Sequence, residues 1–345
     1  MAAGYTAAMA EPVRQYPLAV ALVARAAARL GLEIEILDPE FDYLFELRGP
    51  GFRRALLGGI SPLNDKVVAR IASDKHYTGL ILERAGFRVP ESMRCLSPGY
   101  FRQPDYQRRV GIEPGLAFAA ERGYPVIVKP NRASKGRGVT AVDGPDELVR
   151  AVESVFEFDS VALVQPIVGL PDLRLDFLDG EYLLGYERLP RRVVGDGAKT
   201  LRQLIAASDE RFRDEWRWQR VECGFELDAV PEAGRDIALS GPVLNLNGWA
   251  EARLIETIPD AWLRHSLAIG EALGMRHFGI DFRGASLEQD PSDVTIIEVN
   301  SSPALLRIGH LGWPEHAVAA QARVLEAIVS TPIPGSGGSG HDPAR

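Results

Sequence analysis

The sequence contains little cysteine and no excess of positive charge, and each shortage excludes a class of protein. Only two of its 345 residues are cysteines, Cys95 and Cys223, and they lack the CxxC spacing of a zinc or redox site. This argues against a disulfide framework and fits a reducing cytoplasm. The formal net charge of −8 gives no general field for holding nucleic acid or an anionic membrane. We therefore expect a cytoplasmic protein without nucleic-acid or membrane partners, whose function lies in a local pocket.

Long apolar runs are also missing. The stretch from Leu18 to Ala24 reads LAVALVA, which is too short to span a bilayer. Glu11 precedes it and Arg25 follows it, which argues against the apolar core of a signal peptide. We interpret the run as part of an amphipathic helix that ends near Gly31.

The composition is that of a globular protein. Hydrophobic residues make up 46% of the chain and charged residues 25%, enough for a real core in two or three domains or subdomains. Two short alternating runs, 33–37 and 41–47, indicate strands and make the first seventy residues a small α/β unit. The stretch 95–115 is rich in Pro, Gly, Arg and Tyr, which predicts a surface crossing.

Further elements follow from capping residues, turns and apolar spacing. Ser73 or Asp74 is a suitable N-cap for a helix through Glu83, and Asp179-Gly180 predicts a hairpin between strands 174–178 and 182–187. The other predicted strands are 124–130, 139–142, 161–164, 243–246, 278–282 and 294–299, the other predicted helices are 145–155, 259–273 and 315–329, and a disordered tail starts near residue 332.

A basic glycine-rich loop follows the predicted strand 124–130, which carries Lys129 near its end. Ser134-Lys135-Gly136-Arg137-Gly138 combines two glycines, which allow close approach of the backbone, with two cations suited to a triphosphate. Neither GxxxxGK[ST] nor GxGxxG after a strand is present, so P-loop and Rossmann interpretations lose their main support. The alternative interpretations are an ordinary surface loop for residues 134–138 and, for Lys129, an edge lysine whose amine reaches solvent. The lysine and the loop together are more specific evidence for phosphate binding than either feature alone.

Polar residues also interrupt two apolar strands near the C-terminal end. Asp281 lies in one strand, and Glu298 and Asn300 lie on one face of the other because they are two residues apart. Three oxygen ligands of this kind predict a site for magnesium, which binds through one or two carboxylates plus nucleotide phosphates. Buried carboxylates capped by backbone N–H groups are the alternative interpretation.

These motifs, in order, resemble the ATP-grasp superfamily. The resemblance covers about residues 73–305 and rests on SDK, VIVKP, SKGRGV, the run from Gln165 to Arg174, and GID followed by IIEVNSSP. The stretch ERLPRRVVGDG, from Glu187 to Gly197, resembles the ATP-grasp module of cyanophycin synthetase and of bifunctional glutathione synthetases. Cyanophycin-type enzymes carry a further Mur-ligase-like domain that this sequence lacks, so we expect a ligase that forms a single bond.

The resemblance implies an α/β (α+β) fold in which two α+β subdomains grip ATP, preceded by a small N-terminal α/β domain. The implied segments are 1–72 for the N-terminal domain, 73–120 for the start of the ATP-grasp part, 121–165 for the lid, 166–331 for the C-terminal subdomain with the metal site, and 332–345 for a flexible tail.

The resemblance also implies roles for individual residues. Arg174, Arg188 and Lys135 would be catalytic, and Asp281, Glu298 and Asn300 would bind Mg²⁺, with two ions expected and Mn²⁺ as a substitute. Lys75, Lys129, Ser134, Gly136 and Gly138 would contact the phosphates, Gln165 and Val168 the adenine, and Asp172 the ribose, while Asn245, Asn247 and Ser302 are candidates for substrate contact.

The implied reaction is ATP-dependent amide formation between a carboxylate and an amine of amino acids or short peptides, through an acyl phosphate. A kinase or thioester-forming ligase would share the nucleotide residues, and a non-catalytic nucleotide-binding protein is the alternative of another class. A homodimer is compatible with the sequence.

Overall fold

The computed structural model describes residues 18–100, 111–134, 136–208, 225–239, 250–284 and 286–332. The predicted strand 243–246 and most of the predicted tail lie outside these residues. Within them, no helix is long and apolar enough to cross a membrane.

The N-terminal unit is a helix followed by an antiparallel meander, as the alternating runs predict. It consists of α1 (Leu18–Arg29), β1 (Glu33–Ile36), β2 (Leu44–Gly49) and β3 (Phe52–Leu57), in the strand order β1-β2-β3. Its buried side chains, such as Val20 and Phe45, pack in one cluster with Val318 and Leu325 near the C-terminal end. The two ends of the chain thus share a core, and the domain boundary at residue 72 stays a prediction.

Two helices connect this unit to the next sheet. They are α2 (Lys66–Ala72) and α3 (Lys75–Arg84). Asp74 is the N-cap of α3, and its side chain accepts a hydrogen bond from the backbone N–H of Tyr77 at 3.0 Å. The predicted helix start is therefore confirmed, and the helix ends just before Gly86, which has φ +88°.

The next sheet has four antiparallel strands in the order β4-β7-β5-β6. Most of the segment 121–165 belongs to this unit, and its role as a lid stays a prediction. Its elements are β4 (Met93–Leu96), α4 (Glu113–Arg122), β5 (Val126–Pro130), β6 (Thr140–Val142), α5 (Pro145–Phe156) and β7 (Val161–Pro166). The prediction of a surface crossing from residue 95 is wrong at its start, because Cys95 and Leu96 are buried in β4. The polar residues that follow obscured a strand of only four residues.

The C-terminal part is built on a five-stranded antiparallel sheet in the order β12-β9-β8-β13-β14. Asp179 and Gly180, both with positive φ, form the predicted hairpin turn between β8 and β9. The elements are β8 (Asp172–Leu178), β9 (Glu181–Pro190), β10 (Arg192–Val194), α6 (Leu201–Ser208), β11 (Asp236–Ala238), β12 (Ala250–Ile255), α7 (Asp260–Leu273), β13 (His277–Arg283), β14 (Thr295–Asn300), α8 (Leu306–His310) and α9 (Pro314–Ser330).

The two faces of this sheet differ in character, as the side chains of β8 show. Leu173, Leu175 and Phe177 point to one face, where they pack with Trp262 and Ile269 of α7. Successive side chains of a strand alternate between faces. The other face of β8 therefore carries Asp172, Arg174 and Asp176.

Candidate functional site

Three rows of side chains cross the charged face of the C-terminal sheet. The registers place Arg188, Asp172 and Arg283 side by side in the first row. The second row holds Tyr186, Arg174, Asp281 and Glu298, and the third holds Leu184, Asp176, Gly279 and Asn300. Neighbouring strands lie about 5 Å apart, so residues of one row are close enough for their side chains to interact.

The charged residues of these rows form a chain of alternating ion pairs. Arg283 Nε donates to Asp172 Oδ2 at 2.9 Å, and Arg188 links Asp172 to Asp281, with Nη2 2.6 Å from Asp281 Oδ1. Arg174 continues the chain, since Nη1 donates to Asp281 Oδ2 at 2.8 Å and Nε donates to Asp176 Oδ1 at 2.6 Å. The predicted catalytic arginines thus meet at Asp281.

Burial and charge act against each other in this chain. Burial alone would raise the pKa of Asp281, but Arg174 and Arg188 more than compensate and lower it, so its carboxylate is ionised. Burial alone would likewise lower the pKa of Arg188, yet Asp281 and Asp172 raise it. Arg174 and Arg188 are therefore charged groups that their ion pairs hold in position in a poorly hydrated environment.

Two lysines lie opposite the charged face of the C-terminal sheet. Lys129 on β5 is 5% exposed. Burial, followed by the charge of Lys75, lowers its pKa to about 7. Lys75, in the first turn of α3, donates from Nζ to the carbonyl of Ala133 at 2.8 Å and lies 3.3 Å from Glu298 Oε1. The structure therefore brings the two predicted phosphate-binding lysines together with a predicted metal ligand.

Two contacts hold the glycine-rich loop and the residues just before it in place. Arg132 pairs with Asp74 at 3.0 Å, and the guanidinium of Arg137 lies 4.1 Å from the centre of the Phe158 ring. Gly136 and Gly138 have φ of +69° and +68°, which favours glycine at both predicted positions. Ser134 belongs to this loop, whereas Lys135 lies outside the described residues.

The predicted adenine and ribose residues lie at the end of β7, in the connection after it and at the start of β8. Gln165 is largely buried, and the carbonyl of Val168 accepts a long hydrogen bond of 3.5 Å from Arg283. Asp172 is buried, and both of its oxygens are already bonded to Arg188 and Arg283. This arrangement makes Asp172 a residue that holds two arginines, and its contact with a ribose stays a prediction.

The three predicted metal ligands lie together at the end of the sheet. Asp281 and Glu298 are directly opposite in the β13–β14 register, and Asn300 Nδ2 donates to Asp281 Oδ2 at 3.2 Å. Across the described part of the chain, no group of three or more His, Cys, Asp or Glu side chains could hold a metal. Any ion here would need ligands beyond the carboxylates of the described residues, and the metal assignment stays a prediction.

A cavity of about 430 Å³ lies between α3, the segment 89–92, the end of β7 and β14. Leu82, Val89 and Ile297 line it with apolar groups, and Lys75 and Glu298 lie on its wall. The lining thus combines apolar side chains with charged groups, and a concave site of this size can hold a small molecule.

The predicted substrate residues are only partly described. The hydroxyl oxygen of Ser302 accepts a hydrogen bond from the backbone N–H of Ser61 at 3.2 Å, which brings the N-terminal unit to this end of the site. Asn245 and Asn247 lie outside the described residues. Their part in substrate contact stays a prediction.

Two charged residues of the site were not identified from the sequence. Arg283 joins the ion-pair chain at Asp172, and Asp176 joins it at Arg174. The alternation of charged and apolar residues over 172–177 was the available signal, since it predicts a strand with one wholly charged face.

Comparisons of the sequence and the fold relate this chain to known proteins. A family model described as the carbamoyl-phosphate synthase L chain, ATP binding domain, matches residues 105–170, which include the strand that carries Lys129. The glutathione biosynthesis bifunctional protein of Mannheimia succiniciproducens is 24% identical over 304 residues, covering 81% of this chain and 38% of that protein. Cyanophycin synthetase of Trichormus variabilis is 26% identical over 253 residues, covering 68% of this chain and 26% of that protein.

A solved structure shows the same fold. The bifunctional glutathione synthetase from Pasteurella multocida matches with a TM-score of 0.51 and 21% identity, over 83% of this chain and 40% of that chain. This chain thus spans roughly two-fifths or less of the length of the relatives it matches. It contains an ATP-grasp domain, homologous to part of the bifunctional glutathione synthetases and of cyanophycin synthetase.

Proposed function

We propose that this chain is an ATP-dependent carboxylate–amine ligase that forms an amide bond through an acyl phosphate and releases ADP and phosphate. The relatives named above include a glutathione biosynthesis protein and cyanophycin synthetase, and both names describe enzymes of biosynthesis. Because the chain covers only part of each, the reaction is argued from its own residues.

The observation that carries the proposal is the meeting of opposite charges between the C-terminal sheet and the lysines of α3 and β5 opposite it. Lys75 and Lys129 come from one side, and Glu298 and the arginines that hold Asp281 come from the other. A triphosphate brings about four negative charges, which need both fixed cations and a divalent ion. A site for ATP with Mg²⁺ matches this combination better than a site for a neutral ligand.

The donor atoms fit magnesium. Asp281 Oδ2 accepts from Arg174 and Asn300, whereas Oδ1 accepts from Arg188 and keeps a further lone pair for a cation. With Glu298 opposite, two carboxylates and an amide would hold Mg²⁺, or Mn²⁺ in its place, together with nucleotide phosphates. Bound there, one or two such ions would neutralise phosphate charge.

The protein's part in the reaction is to position and stabilise charge. A carboxylate oxygen of the substrate would attack the γ-phosphorus of ATP in line, while the bond to the β–γ bridging oxygen breaks and ADP leaves. Arg174 and Arg188 would stabilise the charge that spreads over the transferred group, because guanidinium groups bind phosphoryl oxygens in pairs. The loop with Lys135, Gly136 and Gly138 would cover the phosphates and exclude water.

The second step forms the amide. A neutral amine nitrogen would attack the acyl carbon, the bond from that carbon to the phosphate oxygen would break, and the nitrogen would lose a proton. Amino acids or a short peptide are the proposed substrates, with Ser302, Asn245 and Asn247 as candidate contacts. A cytoplasmic location and a homodimer belong to the same proposal.

The test is to incubate the protein with ATP, Mg²⁺ and pools of amino acids, and to measure ADP together with new product masses. A conjugate lighter by one water than the sum of acid and amine, formed with ADP, is the expected result. AMP as the nucleotide product would contradict the acyl-phosphate route. A stable phosphorylated product would make the chain a kinase.

Two matched variants locate the reaction in the described site. We expect Glu298→Gln to reduce conjugate formation at least about tenfold while ATP still binds, because it removes one carboxylate from the metal site. Glu288→Gln changes an exposed glutamate outside the site and should leave the rate unchanged. Equal rates for the Glu298 variant and the wild type would remove Glu298 from the mechanism.

A further inference from the structure

Asp176 is a buried carboxylate that the proposed reaction does not use directly. It is 3% exposed and lies on β8 two residues after Arg174, on the same face. Its Oδ1 accepts a hydrogen bond from Arg174 Nε at 2.6 Å. The carboxylate therefore contacts the guanidinium on the side away from Asp281.

Burying the charges of Asp176 and Arg174 costs free energy, because both groups lose their hydration. Burial raises the pKa of Asp176, and the nearby charge of Arg174 opposes that effect. Leu184, the neighbour of Asp176 on β9, belongs to the apolar core, so an apolar side chain at position 176 would have packing partners. Replacing a buried ion pair with apolar residues is often neutral or stabilising. Stability alone therefore does not explain a carboxylate here.

The pair constrains the orientation of Arg174. Asp176 accepts from Nε and Asp281 accepts from Nη1, so two carboxylates hold the planar guanidinium from two directions. With Asp281 alone, the guanidinium could turn and bond that carboxylate with both ends of its fork. It would then compete with Arg188 for Asp281.

Gly279 provides the space for this arrangement. It lies opposite Asp176 in the register of β13 and β8. A Cβ atom at position 279 would lie 2.6 Å from Arg174 Nε and 2.7 Å from Nη2, closer than real Cβ contacts, and would also collide with Asp176. A glycine of one strand thus makes room for an ion pair of the next.

We propose that Asp176 is a positioning residue, which holds Arg174 so that the guanidinium meets the γ-phosphoryl group of ATP instead of bonding Asp281 through both ends of its fork. This inference rests on the proposed function in assigning the γ-phosphoryl group to Arg174. It extends that function to a residue outside the predicted set.

The test compares binding of ATP and ADP in the presence of Mg²⁺ by titration calorimetry, so it needs no knowledge of the acid or the amine. The variants are Asp176→Asn, Arg174→Lys and the double variant. The control is Asp179→Asn, which removes an exposed ion pair with Arg276 at the far end of the same hairpin. We expect Asp176→Asn to lower the preference for ATP over ADP about five- to tenfold, since a charged hydrogen bond to the γ-phosphoryl group is misaligned.

The double variant separates positioning from a general structural effect. If Asp176 acts through Arg174, adding Asp176→Asn to Arg174→Lys should change the ATP preference less than twofold. Equal losses of ATP and ADP affinity, independent effects of the two substitutions, or an unchanged ATP preference would each overturn the proposal. If circular dichroism shows that Asp176→Asn does not fold, Asp176→Glu replaces it, because this variant keeps the charge but moves it.

The two proposals fail in different ways. A wild-type protein that binds ATP but forms no conjugate would remove the ligase function, and the ATP preference would still decide the role of Asp176. A wild-type protein that binds ATP no more tightly than ADP would overturn the role of Asp176, because there would be no γ-phosphoryl contact to position.

Discussion

At the scale of single residues, the charge of Lys129 depends most clearly on its surroundings. Burial and the neighbouring charge of Lys75 lower its pKa to about 7, so near neutral pH it is only partly protonated. A bound triphosphate would bring negative charge next to the amine and raise this pKa again. Nucleotide binding should therefore be linked to uptake of a proton.

The first prediction follows from the direction of that shift. At pH 8 the free protein has Lys129 mostly neutral, whereas the complex would have it charged, so ATP binding should take up close to one proton and weaken as the pH rises. Calorimetric titrations in buffers of different ionisation enthalpy measure this uptake. Lys129→Gln should abolish it, and Lys66→Met, at an exposed lysine, should not. Uptake that persists in Lys129→Gln would assign the proton to another group.

At the scale of elements, the conformation of the loop that contains Gly136 and Gly138 depends on positive φ angles and on packing against the Phe158 ring. Gly138 has φ +68°, and a Cβ atom there would lie 2.6 Å from the tip of the Phe158 ring. Both restrictions act on the same residue, because side chains disfavour positive φ and the ring occupies the space. The path of the loop thus depends on one glycine.

The second prediction is that Gly138→Ala weakens ATP binding at least about tenfold, through a displaced loop, while lowering the melting temperature by only a few degrees. Titration calorimetry and thermal denaturation measure the two effects. Gly144→Ala is the matched control, since a Cβ atom there meets nothing within 4 Å and its φ of −165° suits any residue. Unchanged ATP affinity in Gly138→Ala would mean that the loop does not contact the nucleotide.

The sequence predicts those elements whose local signals agree with their surroundings. The cap at Asp74, the turn at Asp179 and the strand that carries Lys129 were all recognisable, because each depends on neighbouring residues. Strand β4 was not predicted, because its extended conformation depends on pairing with β7, which lies far along the chain. The ion pairs of Asp172 could not be predicted either, since they depend on the registers of three strands.

At the scale of the whole molecule, helices α1 and α9, which are far apart in the sequence, belong to one packed core. Helix α1 packs against α9, and Val20 of α1 shares a buried cluster with Leu325 of α9. Arg25 also pairs with Glu315 at 2.6 Å. The sheet that carries the site and the N-terminal unit should therefore unfold together.

The third prediction is that Leu325→Ala lowers the free energy of unfolding by about 2–5 kcal/mol, because it leaves a cavity in this shared core. Denaturation followed by circular dichroism and by tryptophan fluorescence should give one coincident transition. Glu326→Ala, the exposed neighbour, should change stability by less than about 0.5 kcal/mol. Two separate transitions would show that the N-terminal unit folds alone.

The hairpin turn at Asp179 and Gly180 affects which side chains of β8 face the site, although the turn lies at the far end of the strand. Together with the register shift between Asp176 and Phe177, the turn sets how β8 and β9 are aligned, and successive side chains of β8 alternate faces. Inserting or deleting one residue that shifted β8 by a single position would turn Leu173, Leu175 and Phe177 toward the site and send its three charges into the core. Natural variation in the length of this turn should therefore be strongly restricted, although the turn itself touches none of the reacting groups.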